Sequence, residues 1–356
     1  MRIAQVAPLY ESVPPRLYGG TERVVSYLTD ELAKQGHEVT LFASGDSKTL
    51  ADLRPVCERA LRLEGTRIVD PLAHHVRMLE MVAQEAAYFD IVHYHVDYLH
   101  FPVTRRLKIA NVTTLHGRLD IADVHPIYRE FEEMPLVSIS NAQRTPIQWA
   151  NWVATVYHGL PEEMYVLKEC SGNYLAFLGR ICPEKRVDRA IEIAKRTGMP
   201  IKIAAKVDPK DQTYFEAEIR KLLDHPLVEY VGEIGESEKS DFLGNAYALV
   251  FPIEWQEPFG LAMIEAMACG TPVIAYRMGS VPEIVEEGMT GYIVQDLDGA
   301  VKAVERAGSL DRTVCRRIFE ERFSAGRMYR DYLDVYRQIC ADEPVNLGGG
   351  VIPIAA

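Results

Sequence analysis

The segment EPFGLAMIE places two carboxylates, Glu257 and Glu265, at the two ends of a nine-residue stretch where a helix is predicted to start. That predicted helix, 259–268, is apolar nearly all round, so the Glu265 carboxylate falls in a stretch that favours burial. A buried carboxylate requires a charged or hydrogen-bonding partner. Pro258 suits the first position of the helix, where its missing N–H is not needed.

The amides at the start of the same helix could bind an anion or a hydroxyl group. The backbone N–H groups of Phe259, Gly260 and Leu261 precede the first helical acceptors, and the charge of Glu257 is favoured beside them. A structural explanation stays open from these residues alone. In that explanation Glu257 caps the helix, and Glu265 pairs with a structural arginine.

Two cations, Arg180 and Lys185, lie five residues apart in the turn that follows the predicted strand 174–178. At the carboxyl end of a strand that faces a cleft, a planar guanidinium and a point cation suit a diphosphate and could replace a metal. Lys206 ends the predicted strand 201–206 and could add a further contact to the ligand bound there. The alternative for all three is a solvated surface cation.

The segment LYGGTERVV places a pair of glycines directly before a predicted helix. Gly19 and Gly20 would let the backbone approach a ligand at the helix N-terminus, with Thr21 as the N-cap. Ten residues, Glu11 to Gly20, separate the preceding strand from the helix. The dinucleotide fingerprint needs a tight G-x-G-x-x-G turn there, which argues against an oxidoreductase. A simple loop is the alternative explanation for the glycine pair.

His116 follows the predicted strand 111–115 in the first half of the chain. A neutral imidazole at that place can hydrogen-bond a sugar hydroxyl or polarise a developing charge. A histidine with a purely structural role would explain the position equally well.

The charge balance bounds the class of partner. The 356 residues include 39 Lys and Arg against 51 Asp and Glu, a net charge of −12, which argues against nucleic acid as a partner. Residues 1–160 are less acidic, with 16 basic and 19 acidic side chains. They could approach an anionic membrane surface more easily than the rest, but nothing in the sequence requires a peripheral membrane contact.

The cysteines and the N-terminus predict a cytoplasmic protein. No C-x-x-C pair occurs, which fits reduced thiols better than disulfides or zinc. No apolar run reaches the ~18 residues that span a bilayer, and the N-terminus MRIAQVAPLY lacks the layout of a signal peptide. The six cysteines are at positions 57, 170, 182, 269, 315 and 340.

Short apolar runs alternate along the chain with amphipathic stretches of helical period. This alternation predicts an α/β fold of two Rossmann-like, doubly wound domains that face across a cleft, where open α/β sheets bind their ligands. Predicted strands lie at 2–8, 38–43, 90–95, 111–115, 136–140, 153–157, 174–178, 201–206, 228–232, 248–252, 272–276 and 291–294. Predicted helices lie at 21–35, 72–88, 143–150, 184–196, 211–223, 238–245, 259–268 and 298–306.

The helical and strand periods are lost between residues 158 and 173, where turn residues gather. We therefore predict a first domain at 1–165 and a second at 166–323. A long amphipathic helix follows at 324–341, with Ser324 as its N-cap. Residues 342–356 are predicted to form a loose tail.

These motifs, in this order, resemble those of family 4 of the retaining glycosyltransferases. The resemblance runs from Arg2 to about Arg337, and its most specific part is the pair of glutamates with G-R-x4-K upstream. The family often has Gly at the position of Arg186 and Asn at that of His158. The motifs are GGTE, DIVHYH, TLHG, GRICPEK, EPFGLAMIE, GTPVIA and GSVPEIV.

The resemblance implies the GT-B fold, in which the C-terminal helix crosses back to the first domain, and it implies a role for each motif. Arg180 and Lys185 would hold the diphosphate of a nucleotide-sugar donor, and Gly20 would offer its amide to the same phosphates. Glu265 would bind the ribose hydroxyls. Glu257, with the amides of Phe259, Gly260 and Leu261, would bind the transferred sugar, and His116 would contact it near the reacting carbon.

The implied reaction is transfer of a sugar from a UDP-sugar or GDP-mannose to a sugar, glycan or small-molecule acceptor, with retention of anomeric configuration. A nucleotide-sugar epimerase of GT-B fold and a non-catalytic nucleotide-sugar binding protein are the alternatives. The acceptor is expected to dock on the first domain against 11–18, 100–106 and 118–133.

Neither of the two candidate metal motifs predicts an essential metal or another cofactor. His93 and His95 lie two apart on a predicted strand and could chelate a metal ion, but the family carries a similar strand as scaffold. Asp296 and Asp298 form the D-x-D pattern of other glycosyltransferases. They precede a predicted helix and are better explained as its cap.

Overall fold

Two parallel sheets form the framework of the protein, which is described here by a computed structural model of residues 1–107 and 109–342. The first sheet contains β1 (Arg2–Val6), β2 (Glu38–Ser44), β3 (Asp52–Cys57), β4 (Ile91–Tyr94), β5 (Asn111–Thr114), β6 (Leu136–Ser138) and β7 (Trp152–Thr155). The second contains β8 (Leu175–Arg180), β9 (Ile201–Lys206), β10 (Val228–Gly232), β11 (Ala248–Phe251), β12 (Val273–Tyr276) and β13 (Gly291–Val294).

The strand orders are those of doubly wound sheets, β3-β2-β1-β4-β5-β6-β7 and β10-β9-β8-β11-β12-β13, and each recorded strand pair is parallel. The order reverses between β1 and β4 in the first sheet and between β8 and β11 in the second. Ligands bind outside the carboxyl ends of the strands at such points. The predicted α/β architecture is therefore confirmed.

The strand β3 is missing from the sequence prediction. It pairs with β2 alone, and it contains Pro55 and several partly exposed side chains. Proline is tolerated on an edge strand because it removes a hydrogen bond that has no partner strand there. The apolar pattern of a buried strand is therefore absent from this one.

Helices cover both faces of each sheet. They are α1 (Gly20–Lys34), α2 (Pro71–Glu85), α3 (Phe101–Leu107), α4 (His125–Glu130), α5 (Asn141–Arg144), α6 (Val187–Thr197), α7 (Gln212–Tyr214), α8 (Glu236–Gly244), α9 (Leu261–Ala268), α10 (Val281–Ile284), α11 (Leu297–Ala307), α12 (Arg312–Phe323) and α13 (Ala325–Asp342).

Several helix predictions differ from the structure, and the short helices α3, α4 and α10 are missing from the prediction altogether. The predicted helix 143–150 is two short turns, and 211–223 is broken by a π-turn at Phe215–Ile219. The sequence prediction lacks α12, which carries a buried arginine. Arg312 is 5% exposed and donates to the carbonyls of Lys168, Gly244 and Ala246, so a charge occupies a face that an apolar pattern would have marked.

The helix α13 crosses back to the first sheet, as the GT-B fold requires. The backbone N–H of Arg327 donates to the Ser324 hydroxyl at 3.4 Å. This contact confirms the prediction that Ser324 is the N-cap of α13. Further along, Tyr332 and Tyr336 are buried against the first domain and hydrogen-bond to side chains of β1, β4 and β5. Apart from Asp342, where α13 ends, the predicted tail 342–356 lies outside the described residues.

Glu283 at the start of α10 joins the two domains. Its carboxylate accepts hydrogen bonds from the backbone N–H groups of Asn141 and Ala142, both at 2.7 Å, and from the Tyr157 hydroxyl at 3.0 Å. These contacts connect the first domain to the second outside the lining of the cleft. Among the helices described, none is both long and apolar enough to cross a membrane, and the cytoplasmic location stays a prediction.

Candidate active site

A cleft of about 720 Å³ opens between the carboxyl ends of the strands of both sheets. Residues of both domains line it, so neither domain forms the site alone. Each site residue predicted from the sequence lies on its wall, namely Gly20, His116, Arg180, Lys185, Lys206, Glu257, Phe259, Gly260, Leu261 and Glu265.

The predicted acceptor stretches agree less well with the cleft. Leu17 and Tyr18 line it, but no residue of 100–106 or 118–133 does so in the described part of the chain. His100 shows why, since it is fully buried and stacks on Tyr94 with the ring centroids 3.6 Å apart. In place of those stretches, the first domain contributes Tyr10, Arg62, Leu72, His75 and Asp97–Leu99.

The loop before α9 brings backbone close to the cleft. The helix begins at Leu261, three residues after Pro258, so the prediction of Pro258 as first helical residue is wrong. Gly260 has φ +86°, and a Cβ there would lie 2.7 Å from Met263 Cε. Because only glycine adopts this conformation without strain, the loop delays the helix start.

A similar loop precedes α1 on the opposite wall. The helix begins at Gly20, and Gly19 is its N-cap without a side-chain hydrogen bond, so the prediction of Thr21 as N-cap is wrong. A Cβ on Gly20 would stand 3.6 Å from Leu261 Cδ1. The N-termini of α1 and α9, each with a partial positive charge, therefore meet across the cleft, as an anionic ligand requires.

Glu265 lies on α9 and is 3% exposed, as the sequence predicts for a carboxylate in an apolar helix. Its partner is Lys239 of α8, whose Nζ lies 2.7 Å from Glu265 Oε1, in place of the structural arginine considered above. Lys239 also contacts Glu236 at 3.1 Å, and Glu236 pairs with Arg23 of the first domain. The sequence reasoning missed Lys239, because the pair spans two helices 26 residues apart.

Glu257 and Lys185 form an ion pair at the entrance to α9. The Trp255 indole N–H also donates to Glu257, at 3.1 Å, and the Lys185 ammonium lies 5.2 Å from the ring centres of both Phe251 and Trp255. The aromatic rings hold the cation over the cleft. Lys185 and Glu257 are thereby placed side by side on the wall of the cleft.

Arg180 and Lys206 do not stand free in the described structure. Asp208 accepts from Arg180 Nη1 at 3.2 Å and lies 3.1 Å from Lys206 Nζ, and Asp211 lies 3.5 Å from Arg180 Nε. Burial alone would raise the pKa of Asp208, but these two cations hold that pKa below its usual value. The aspartates orient the two cations, and an anionic ligand would have to compete with them.

The turn between β8 and α6 tolerates a residue where the family often has glycine. Arg186 has φ +52°, in the left-handed region that favours glycine. Its guanidinium pairs with Asp188 at 2.8 Å and with Glu254. These ion pairs hold the strained backbone, so the turn keeps Lys185 in the cleft without a glycine.

His116 is the cleft end of a buried chain of hydrogen bonds. His116 Nε2 lies 2.8 Å from His95 Nδ1, His95 Nε2 lies 2.8 Å from Gln5 Oε1, and Gln5 Nε2 donates to the Tyr336 hydroxyl at 3.0 Å. The Tyr336 oxygen is also 2.7 Å from His93 Nδ1. This chain of hydrogen bonds runs from the cleft through the end of β4 and through β1 to α13, and it gives both His93 of β4 and His95, directly after β4, hydrogen-bonding roles.

This chain of hydrogen bonds determines the tautomer of His116. The Gln5 carbonyl oxygen can only accept, so His95 carries its proton on Nε2 and accepts on Nδ1 from the His116 Nε2–H. Burial lowers the pKa of His116 to about 3, so the ring is neutral. Its Nδ1 is then a buried acceptor that has no hydrogen-bond partner in the described part of the chain.

Tyr336→Phe is expected to lower turnover about tenfold while changing the affinity for the donor less than twofold, because the variant removes the hydroxyl that orients Gln5 and, through His95, the His116 ring. Steady-state kinetics and calorimetry separate the two quantities. Tyr329→Phe is the matched control, since Tyr329 lies on the same helix and its hydroxyl, among the residues that the structure describes, hydrogen-bonds to His37 alone, at 3.1 Å. Equal turnover in both variants would show that Tyr336 serves stability alone.

The D-x-D aspartates act at a helix terminus, away from the cleft. Asp296 caps α11 by accepting from the Gly299 N–H at 2.8 Å, and Asp298 pairs with Arg196 at 2.9 Å. This confirms the predicted helix cap. The expectation that no metal is essential stays a prediction.

Two family models match successive parts of the chain. "Glycosyltransferase Family 4" matches residues 18–158, and "Glycosyl transferases group 1" matches residues 167–313. The chain is 25% identical over 91% of its length, and 95% of the relative's, to N-acetyl-alpha-D-glucosaminyl L-malate synthase of Bacillus anthracis. It is 30% identical over 51% of its length to D-inositol 3-phosphate glycosyltransferase of Mycolicibacterium smegmatis, of which it covers 43%.

Solved structures share the fold over nearly the whole chain. AviGT4, a glycosyltransferase involved in avilamycin A biosynthesis, matches with a TM-score of 0.75 at 22% identity. The match covers 96% of this chain and 99% of AviGT4. Anabaena HepE in complex with UDP and glucose has a TM-score of 0.74 at 16% identity and is covered to 100% by 95% of this chain. At these identities the likeness concerns the fold.

Proposed function

Because the chain belongs to glycosyltransferase family 4, we propose that this enzyme transfers a sugar from a nucleotide-sugar donor, a UDP-sugar or GDP-mannose, to an acceptor with retention of anomeric configuration. One observation carries the proposal. The N-termini of α1 and α9 meet across the cleft beside Arg180 and Lys185, so two helix dipoles and two cations surround one position suited to a diphosphate.

The remaining donor contacts follow from this position. Glu265, held by Lys239, would accept hydrogen bonds from the ribose hydroxyls. Glu257 and the amides of Phe259, Gly260 and Leu261 would bind hydroxyls of the transferred sugar. The UDP and glucose named for HepE are consistent with such a donor.

In the proposed reaction, the bond from the anomeric carbon to the leaving phosphate lengthens and negative charge builds on the diphosphate. Arg180, Lys185 and the amides of α9 stabilise that charge. The acceptor oxygen attacks from the same face and forms the new bond, and its proton passes to the leaving phosphate oxygen. The free Nδ1 of neutral His116 would accept a hydrogen bond from a sugar hydroxyl near the reacting carbon.

The names of the two relatives give L-malate and D-inositol 3-phosphate, two unrelated small molecules. The acceptor therefore varies within the similar proteins, while the donor site is the part expected to be shared. For this chain the acceptor must be inferred from its own cleft.

Calorimetric titration with UDP, GDP and ADP tests the donor site. The wild type is expected to bind at least one of them, and Arg180→Ala and Glu265→Ala are expected to weaken that binding at least tenfold. Lys202→Ala is the control, because Lys202 lies on β9 and pairs with Glu229 away from the cleft. No binding by the wild type, or equal binding by all variants, would contradict the proposal.

A further inference from the structure

We propose that Asp97 is an acceptor-binding residue and that the acceptor is an uncharged sugar or polyol, without a carboxylate or phosphate at the position that Asp97 faces. This inference rests on the proposed function, since it assigns the acceptor half of the same cleft. The observations that carry it are the placement of Asp97, its backbone conformation and the charges around it.

Asp97 stands two residues beyond His95, just after β4, and lines the cleft on the wall of the first domain. Its side chain is exposed there, while dense protein on its other sides raises the pKa of its carboxyl to about 6. The carboxylate has no hydrogen-bond or ion-pair partner within residues 1–107 and 109–342. An unsatisfied acceptor that faces a cleft suits a ligand that donates hydrogen bonds.

The backbone at Asp97 is strained. With φ +50°, it is one of two described non-glycine residues, with Arg186, in the left-handed region. Arg186 is held there by ion pairs, whereas Asp97 has none. Such strain is retained at functional sites when it aims a side chain at a ligand. The conformation turns the chain after β4, next to the residue that hydrogen-bonds His116.

The two arginines of the first-domain wall are paired with carboxylates. Arg62 lies 3.1 Å from Glu11, and Arg23 pairs with Glu236. Glu22 is 6% exposed, and burial raises the pKa of its carboxyl. Among the residues described, both arginines of this wall have a carboxylate partner, whereas the Asp97 carboxylate has no cation beside it. The unpaired cleft-facing charge of Asp97 would repel a carboxylate or phosphate, whereas hydroxyl groups can donate to it.

The charge therefore divides the cleft. The second-domain wall carries Arg180, Lys185 and Lys206, which suit the diphosphate of the donor. The first-domain wall carries Asp97 beside the neutral His116, which suits hydroxyl groups. A donor anion and a neutral acceptor would each find one complementary wall.

Matched acceptor probes test this inference. With UDP-glucose, UDP-N-acetylglucosamine and GDP-mannose as donors, we would measure released UDP or GDP in the presence of glucose, glucose 6-phosphate, glucuronic acid and myo-inositol, and the binding of the same probes by ligand-observed NMR. The wild type is expected to use or bind an uncharged probe at least tenfold better than its anionic counterpart. A preference for an anionic probe, or failure of every uncharged probe to bind, would overturn the inference.

Asp97→Asn is the decisive variant, because asparagine keeps the size of the side chain and tolerates the left-handed backbone. It is expected to raise KM for the uncharged probe about tenfold, to narrow the preference over the anionic probe, and to leave the affinity for the nucleotide unchanged. Asp52→Asn is the control, since Asp52 lies on the edge strand β3 and is absent from the cleft lining. Unchanged acceptor kinetics in Asp97→Asn would refute the role of Asp97. If the wild type bound none of the nucleotides, this result would instead refute the proposed function.

Discussion

Lys185→Ala is expected to lower kcat/KM for the donor about 10³-fold, one of the two largest effects we anticipate. The variant removes a cation that would neutralise charge on the leaving diphosphate, an effect of about 10²–10³ for a single preorganised group. It also leaves the Glu257 carboxylate without its ion-pair partner, next to the position of the diphosphate. The repulsion from this buried carboxylate adds to the loss of the cation.

The double variant Lys185→Ala with Glu257→Gln separates the two contributions. Neutralising Glu257 is expected to restore part of the donor affinity that the single variant loses, although kcat stays low. Steady-state kinetics and calorimetry on the two variants and on Lys202→Ala give the comparison. An activity of Lys185→Ala within threefold of the wild type would show that Lys185 is a surface cation.

Lowering the pH from 7 to 5 is expected to lower the thermal unfolding midpoint of the protein strongly. Burial lowers the pKa of five histidines in the folded state, so they stay neutral where the unfolded chain, with a histidine pKa of about 6.5, binds protons. Stability is therefore fully present above about pH 6.5 and is lost as the pH falls. The five are His93, His95, His100, His116 and His158.

Two carboxyls oppose this effect. Burial raises the pKa of Glu22 and Asp97, so the folded state binds protons there before the unfolded chain does. The histidines outnumber these two carboxyls, and each histidine that stays neutral in the folded state removes about 1.4 kcal/mol of stability per pH unit once the unfolded chain binds its proton. Since a domain of ordinary stability has about 5–15 kcal/mol, this decides whether it stays folded at pH 5.

Thermal unfolding followed by circular dichroism between pH 5 and pH 8 checks the prediction. The midpoint is expected to be nearly constant above pH 7 and to fall steeply below pH 6. His100→Asn provides a test away from the cleft, since within residues 1–107 and 109–342 the His100 ring hydrogen-bonds to Thr104 and Thr113 and to no site residue. The stability of this variant should fall less steeply with decreasing pH, because about one proton fewer is taken up on unfolding. If the unfolding temperature measured below pH 6 equals that measured at pH 7, the buried neutral histidines do not control the stability of the protein.

The sequence predicts most of the fold because the strands are short, apolar and buried, and such runs are visible without a structure. The helix starts at Gly20 and Leu261 are harder to predict. The backbone conformations of Gly19 and Gly260, not the side chains of Thr21 and Pro258, determine where these helices begin. The edge strand β3 lacks an apolar pattern altogether.

The candidate site shows the same division. Arg180 and Lys185 could be assigned to the cleft because they lie at the carboxyl end of a predicted strand, and Glu265 could be singled out because a lone carboxylate in an apolar helix requires a partner. The partners of these residues lie on other elements and have no local signal. Lys239 reaches Glu265 from another helix, and His95 reaches His116 from the neighbouring strand.

Product analysis with and without acceptor tests the central claim most directly. The wild type would be incubated with each UDP-sugar and GDP-mannose, alone and with a panel of sugars and polyols, and the products identified by mass spectrometry and NMR. We predict a new glycoside with the anomeric configuration of the donor and one equivalent of nucleoside diphosphate, formed only with an acceptor. Isomerised sugar from the donor alone would indicate an epimerase, and no turnover with any donor and acceptor would indicate a binding protein. Either result would contradict a glycosyltransferase.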